Sequence, residues 1–77
     1  MIIEGKRYLL TRHGRERYLL RVNPHALDRE ILESAVQGMR HYVFIWAPDR
    51  KRPDTKRLVT VYYAPTHPKF KGLGQDE

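Results

Sequence analysis

Near residue 40 the apolar pattern of this chain changes period. Upstream, Leu32, Ala35, Val36 and Met39 recur at helical spacing with Ile31 beside them, the stripe of an amphipathic helix. Downstream, "HYVFIWA" (41–47) and "RLVTVYYA" (57–64) are runs of aromatic and β-branched residues, which read as strands covered on both faces. Side chains alternate along a strand, so Tyr42, Phe44 and Trp46 share one face and Val43, Ile45 and Ala47 the other. The three aromatics are most simply core. Between the runs, "PDRKRPDTK" (48–56) holds two prolines and two aspartates, the chemistry of a mobile hairpin loop.

The first half predicts the remaining elements. "KRYLLT" (6–11) reads as a short strand, and "MII" as another, with Glu4-Gly5 as the turn. Thr11 is suited to cap a helix from about Arg12 to Arg21. His13, Arg17 and Arg21 then share one helix face, while Tyr18, Leu19 and Val22 lie on another and meet the core. Pro24 breaks the chain. Asp28 reads as the cap of a second helix over roughly 29–38, with Leu27 and Leu32 as a hydrophobic staple and Gly38 as the stop; a start as early as Pro24 is the alternative. Its other positions, Arg29, Glu30, Glu33 and Gln37, are polar. The expected fold is α+β, in the order β-α-α-β-β, with two helices on one face of a small antiparallel sheet. One domain spans 1–64, and a flexible tail rich in proline and glycine covers 65–77.

The chain has 77 residues and no cysteine. A chain of this size has a modest core, here without disulfide or thiolate metal help. It has no apolar run of membrane-spanning length and no signal-like stretch. A cytoplasmic protein without membrane contact is expected. Charge is unevenly spread within the net +6. Residues 6–21 carry Lys6, Arg7, Arg12, Arg15, Arg17 and Arg21 against Glu16 alone, and residues 49–57 carry Arg50, Lys51, Arg52, Lys56 and Arg57 against Asp49 and Asp54. The middle of the chain is slightly acidic, through Asp28, Glu30 and Glu33. Such basic blocks suit a polyanion; the plainer reading is a solvated surface.

"TRHGRERYLLRV" followed by "LDREILESAV" resembles an uncharacterised family of small bacterial and phage domains. That family opens with a strand, then Thr/Ser-x-His-Ala-x-x-Arg-φ-x-x-Arg-Gly, then an acidic helix and a hairpin. Thr11, His13, Gly14, Arg17, Tyr18 and Arg21 fall on the first motif, and Leu27, Asp28, Leu32, Ala35 and Val36 on the second. The resemblance covers about residues 6–64. Gly14 stands where alanine is usual, Val22 where glycine is usual, and "NPHA" (23–26) looks inserted. The family looks like a branch of the RelE/ParE toxin superfamily, which implies two helices on a curved antiparallel sheet. RelE-like members cut messenger RNA on the ribosome and ParE-like members poison gyrase, so the resemblance implies a fold and leaves the reaction open.

Metal-free RNA cleavage requires activation of the 2′-OH, protonation of the leaving oxygen and stabilisation of a pentavalent phosphate. Histidine, with an ordinary pKa near 6.5, suits the first two, and the arginine fork suits the third. His13, Arg17 and Arg21 are therefore the candidate catalytic set. Arg12, Arg15, Arg50, Lys51, Arg52, Lys56 and Arg57 are candidate nucleic-acid contacts, and Tyr18 or Tyr63 a candidate base-stacking ring. The plainer readings are that His13 caps or packs a helix start, and that Arg17 and Arg21 pair with Glu16, Glu30 or Glu33. His25, His41 and His67 are too scattered for a metal site. No metal or cofactor is expected. Three readings follow. One is a RelE-like binder of RNA or other nucleic acid, as an endoribonuclease held by an antitoxin. Another is a non-catalytic module that inhibits a host enzyme or polymerase through an acidic groove. The last is an accessory whose charge serves solubility alone.

Overall fold

Glu4 and Gly5 both take left-handed backbone angles, φ 52° and 80°, as the tightest hairpin turns require. The turn folds β1 (Ile2–Ile3) back antiparallel on β2 (Lys6–Leu10). The computed structural model describes residues 1–66. His67 and nearly all of the expected tail lie outside the described residues; Pro65 and Thr66, at its start, belong to a short 3-10 turn, Ala64–Thr66.

Helix α1 spans Arg12–Arg21 and starts on Thr11, whose Oγ1 accepts the Gly14 N–H at 2.9 Å. It ends where the Val22 and Asn23 N–H groups both turn back to the Tyr18 carbonyl, before Pro24 is reached. Helix α2 spans Asp28–Gln37, so it does not reach back to Pro24. Leu27, not Asp28, occupies the cap position, and its exposed N–H is taken by the Glu30 carboxylate at 2.8 Å. Asp28 is the first helical residue, where an acid still complements the helix dipole. Leu27 remains 67% exposed, so no staple buries it. Gly38, at φ 85°, stops the helix. Strand β3 (Tyr42–Pro48) and strand β4 (Thr55–Tyr63) form the hairpin. In its loop the Asp49 carboxylate accepts the Arg52 N–H at 3.1 Å, and the Asp49 N–H donates to the Thr55 carbonyl.

The α+β class and the order β-α-α-β-β stand, with β1 as an added short strand. The sheet, however, is mixed. Its order is β1-β2-β4-β3, and β2 and β4 are parallel, Arg7 opposite Thr55 through Leu10 opposite Leu58. The helices serve as the crossover a parallel pair requires. The hairpin then places its second strand, not its first, beside β2.

Both helices cover one face. Tyr8, Tyr18, Ile31, Leu32, Ala35, Leu58 and Val61 form the buried core, with Phe44 and Trp46 packed against it. The Tyr8 and Trp46 rings meet at 5.2 Å, and Tyr18 stacks toward Phe44 at 6.5 Å. Trp46 pairs with Leu58 but Ile45 pairs with Thr60, so Val59 is an extra residue, a β-bulge. The bulge reverses the alternation of β4. Leu58 and Val61 both face the helices, while Arg57, Thr60 and Tyr62 share the opposite face with Val43, Ile45 and Ala47. No described helix covers that second face, and all six of β3's residues before Pro48 are only half-buried. The expectation of strands covered on both faces is thus corrected: one face is covered, the other is open among the described residues.

Candidate nucleic-acid interface

Strand β2 ends at Leu10, opposite Leu58, and leaves the rest of β4 without a partner strand on that side. Helix α1 fills this edge. The Thr11 N–H and hydroxyl both donate to the Leu58 carbonyl, at 3.3 and 2.7 Å. At the other end of the helix, Arg21 Nη1 donates to the Val61 carbonyl at 2.7 Å. Between these points Gly14 passes so close that a Cβ there would lie 2.4 Å from the Leu58 carbonyl oxygen. This explains why residue 14 is a glycine.

The docking fixes where each side of α1 points. Residues three and four apart share a side. Tyr18 and Val22 meet the core, and Arg15 reaches α2, so that side faces the covered sheet face. Gly14 and Arg21 meet the β4 edge. His13 and Arg17 lie one step further round, toward the open face. The Arg21 guanidinium marks the border, 5.3 Å from the ring centre of Tyr62 on that face. His13 is exposed and Arg17 half-buried, and Arg17 Nε donates to His13 Nε2 at 3.3 Å.

Several expected site residues are placed elsewhere. Arg12 is tied to Glu16 at 3.1 Å, and Arg15 is held by both Asp28 carboxylate oxygens at 2.9 and 2.6 Å. The Arg15 fork holds the Asp28 carboxyl below the usual carboxylate range, and Asp28 in turn raises Arg15. Neither arginine faces the open strands. Arg17 and Arg21 form none of the ion pairs considered with Glu16, Glu30 or Glu33; the other pair found is Arg29 with Glu33. Arg21 is a docking residue, since its guanidinium is engaged by Val61 and Tyr62. Tyr18 is 4% exposed and cannot stack a base. Tyr63 packs edge-on against Tyr42 at 5.4 Å, on the helix side of the sheet. Lys56 pairs with Tyr8 and so also points to that side. Arg50 is exposed at the loop.

The two basic segments do not converge on one point. Helix α1 borders the far half of β4, and the hairpin loop closes over its near end. Thr55 and Tyr62 are separated by about 20 Å at strand rise. The open face joins them, with Arg57 on it two residues from Thr55. No known protein family, curated protein or solved structure matches the chain. The surface is therefore read from its own chemistry. At the loop end, Arg7, Lys51 and Arg52 surround a recess of about 470 Å³ whose lining includes Leu9 and Thr55. None of these three cations forms an ion pair among the described residues. Asp28, Glu30 and Glu33 ride on α2, across the core, while Asp49 and Asp54 lie at the loop end among the cations. No group of three potential ligands among the described residues is placed to hold a metal ion. No described helix is long and apolar enough to cross a membrane.

Sequence reasoning counted Arg7 only as part of a basic block and did not single out Thr55 or Tyr62. One signal was present. Arg57 and Thr60 interrupt an otherwise apolar run, the mark of a strand with one uncovered face.

Proposed function

We propose that the chain binds nucleic acid, RNA foremost, along the open face of β4, as a RelE-like protein that cuts RNA without a metal. The observation that carries this reading is the excess of cations around the uncovered face. Arg7, Arg17, Lys51, Arg52 and Arg57 frame the uncovered face, while the acids of α2 stand behind it. Several phosphates of an extended strand fit along such a frame. Cleavage rests on His13, whose exposed ring is able to take and return a proton, and on Arg17 beside it as the phosphate-facing cation.

Affinity for a short single-stranded RNA, measured across a salt series, tests the binding step. It should fall steeply, by about 0.7 in log–log slope per phosphate neutralised. Arg17→Ala should weaken both affinity and cleavage, and His13→Ala should abolish cleavage while keeping affinity. A flat salt response overturns the binding reading. Absence of cutting, with and without ribosomes, overturns the nuclease reading.

One observation favours the non-catalytic alternative. Strand β3 is a seven-residue edge strand, "YVFIWAP", without a charge. Long apolar edges accept a strand from another chain, which suits an antitoxin or an acidic host protein. A partner retained from nuclease-treated lysate, and lost on Ile45→Lys, would favour that module over the RNA binder.

A further inference from the structure

We propose that the recess between the hairpin loop and β2 binds a nucleoside 5′-monophosphate group. The proposal deepens the nucleic-acid reading by giving the strand a preferred end, yet the pocket also stands as a free-nucleotide site if that reading fails.

Three observations carry it. The first is uncompensated charge. Arg7, Lys51 and Arg52 converge on one recess, and the single acid in its lining, Asp49, already accepts the Arg52 N–H through Oδ2. A phosphomonoester bears about −1.5 to −2 at neutral pH, against −1 for an internal diester. The three cations, even against the charge of Asp49, match the terminal group better.

The second observation is a pair of buried polar atoms without partners. The Thr55 hydroxyl and the Arg57 Nε–H are both enclosed and make no hydrogen bond. They belong to the same face of β4, two residues and about 6–7 Å apart along the strand. Thr55, 2% exposed, is part of the recess lining. Buried polar groups are normally satisfied; the Thr55 hydroxyl, in the wall of a recess that holds three cations, is what an anion's oxygen would complete, while Arg57 lies one strand repeat beyond the lining.

The third observation is size and wall chemistry. At about 470 Å³ the recess falls among small-molecule sites and is too roomy for phosphate alone. Ile2 and Leu9, 63% and 43% exposed, supply an apolar wall for a base. The Asp49 oxygen that does not hold the loop is left as an acceptor for ribose hydroxyls.

Nitrogen-labelled full-length chain, titrated with uridine 5′-monophosphate, uridine and inorganic phosphate, tests this directly. The nucleotide should shift the amides of Arg7, Leu9, Arg52 and Thr55, and bind about ten-fold or more tightly than either fragment. Arg52→Ala should weaken it by about ten-fold, the loss of a charge-assisted contact, whereas Arg29→Ala on α2 should not. Thr55→Val removes a hydroxyl without a partner in the free protein, so the fold should hold or gain stability while nucleotide affinity falls. A second arm compares one short RNA carrying a 5′-phosphate or a 5′-hydroxyl. A 5′-phosphate preference that Arg52→Ala erases places a strand end in the pocket. Tight nucleotide binding without RNA affinity keeps the pocket and overturns the RNA reading. RNA binding indifferent to the 5′ group, with nucleotide no better than phosphate, overturns the pocket and keeps the RNA reading.

Discussion

The two helices are attached to the same sheet by different physics. Helix α2 buries Ile31, Leu32 and Ala35, at 0–6% exposure, and is held by apolar area. Helix α1 buries little beyond Tyr18 and Gly14, and leaves Leu20 at 73% exposure. Its position is set by polar contacts along one strand edge: Thr11 on Leu58 O, Arg21 on Val61 O, and a backbone approach that admits no side chain at Gly14. Apolar burial is non-directional and stabilises, whereas hydrogen bonds and close approach fix position. The helix that makes the fold stable is acidic and faces away from the candidate interface. The helix that borders the interface is positioned by directional contacts.

This contrast can be broken, beginning with the largest effect. Ile31→Ala empties a fully buried site and should cost about 2–5 kcal/mol in denaturant unfolding. RNA affinity of the fraction that stays folded should not change, because α2 holds α1 through Arg15, on the side away from His13 and Arg17. Gly14→Ala should cost about 1–3 kcal/mol through overpacking against the Leu58 carbonyl, less about 1 kcal/mol regained from helix propensity. Unlike Ile31→Ala, it should also reduce RNA affinity, because α1 must move to admit the methyl group. Equal affinity losses in both variants would erase the distinction between the helices. Thr11→Val removes the cap on Gly14 and the bond to Leu58, and should cost about 1–2 kcal/mol by thermal unfolding. The smallest effect lies at the contact between the helices. Asp28 is depressed by Arg15 in the folded state, so the pair contributes stability above the unfolded carboxylate value, near 3.9, and loses it as pH falls through the lower folded value. Asp28→Asn should therefore be less stable than the native chain at neutral pH and equal to it in strong acid. Both side chains are about half exposed, at 43% and 56%, so high salt should shrink the difference. A gap that persists in acid would assign Asp28 to the helix start rather than to Arg15.

Local order was legible in the residues. The span of α1, its Thr11 cap, the stop at Gly38, the turn at Glu4-Gly5 and the strand runs all follow from short-range rules of capping, period and backbone angle. The Asp28 assignment failed by one position because Glu30 satisfied the Leu27 N–H, and an acid in the first turn serves the helix dipole as well as a cap does.

The candidate site was only half legible. His13 and Arg17 share a helix side, as their spacing requires, but Arg12 and Arg15 found carboxylates and Arg21 found a strand edge. Residue order, in the end, determined the elements, the two basic blocks and the acidic helix between them. Only the tertiary structure decided that β4 lies parallel to β2, that α1 completes β4's edge, and that a single extra residue at Val59 turns Arg57, Thr60 and Tyr62 together onto the uncovered face. The reason is range. Capping and periodicity act over a few residues, whereas strand pairing and bulge position depend on contacts between segments nearly fifty residues apart, as between Thr11 and Leu58, which no local pattern encodes.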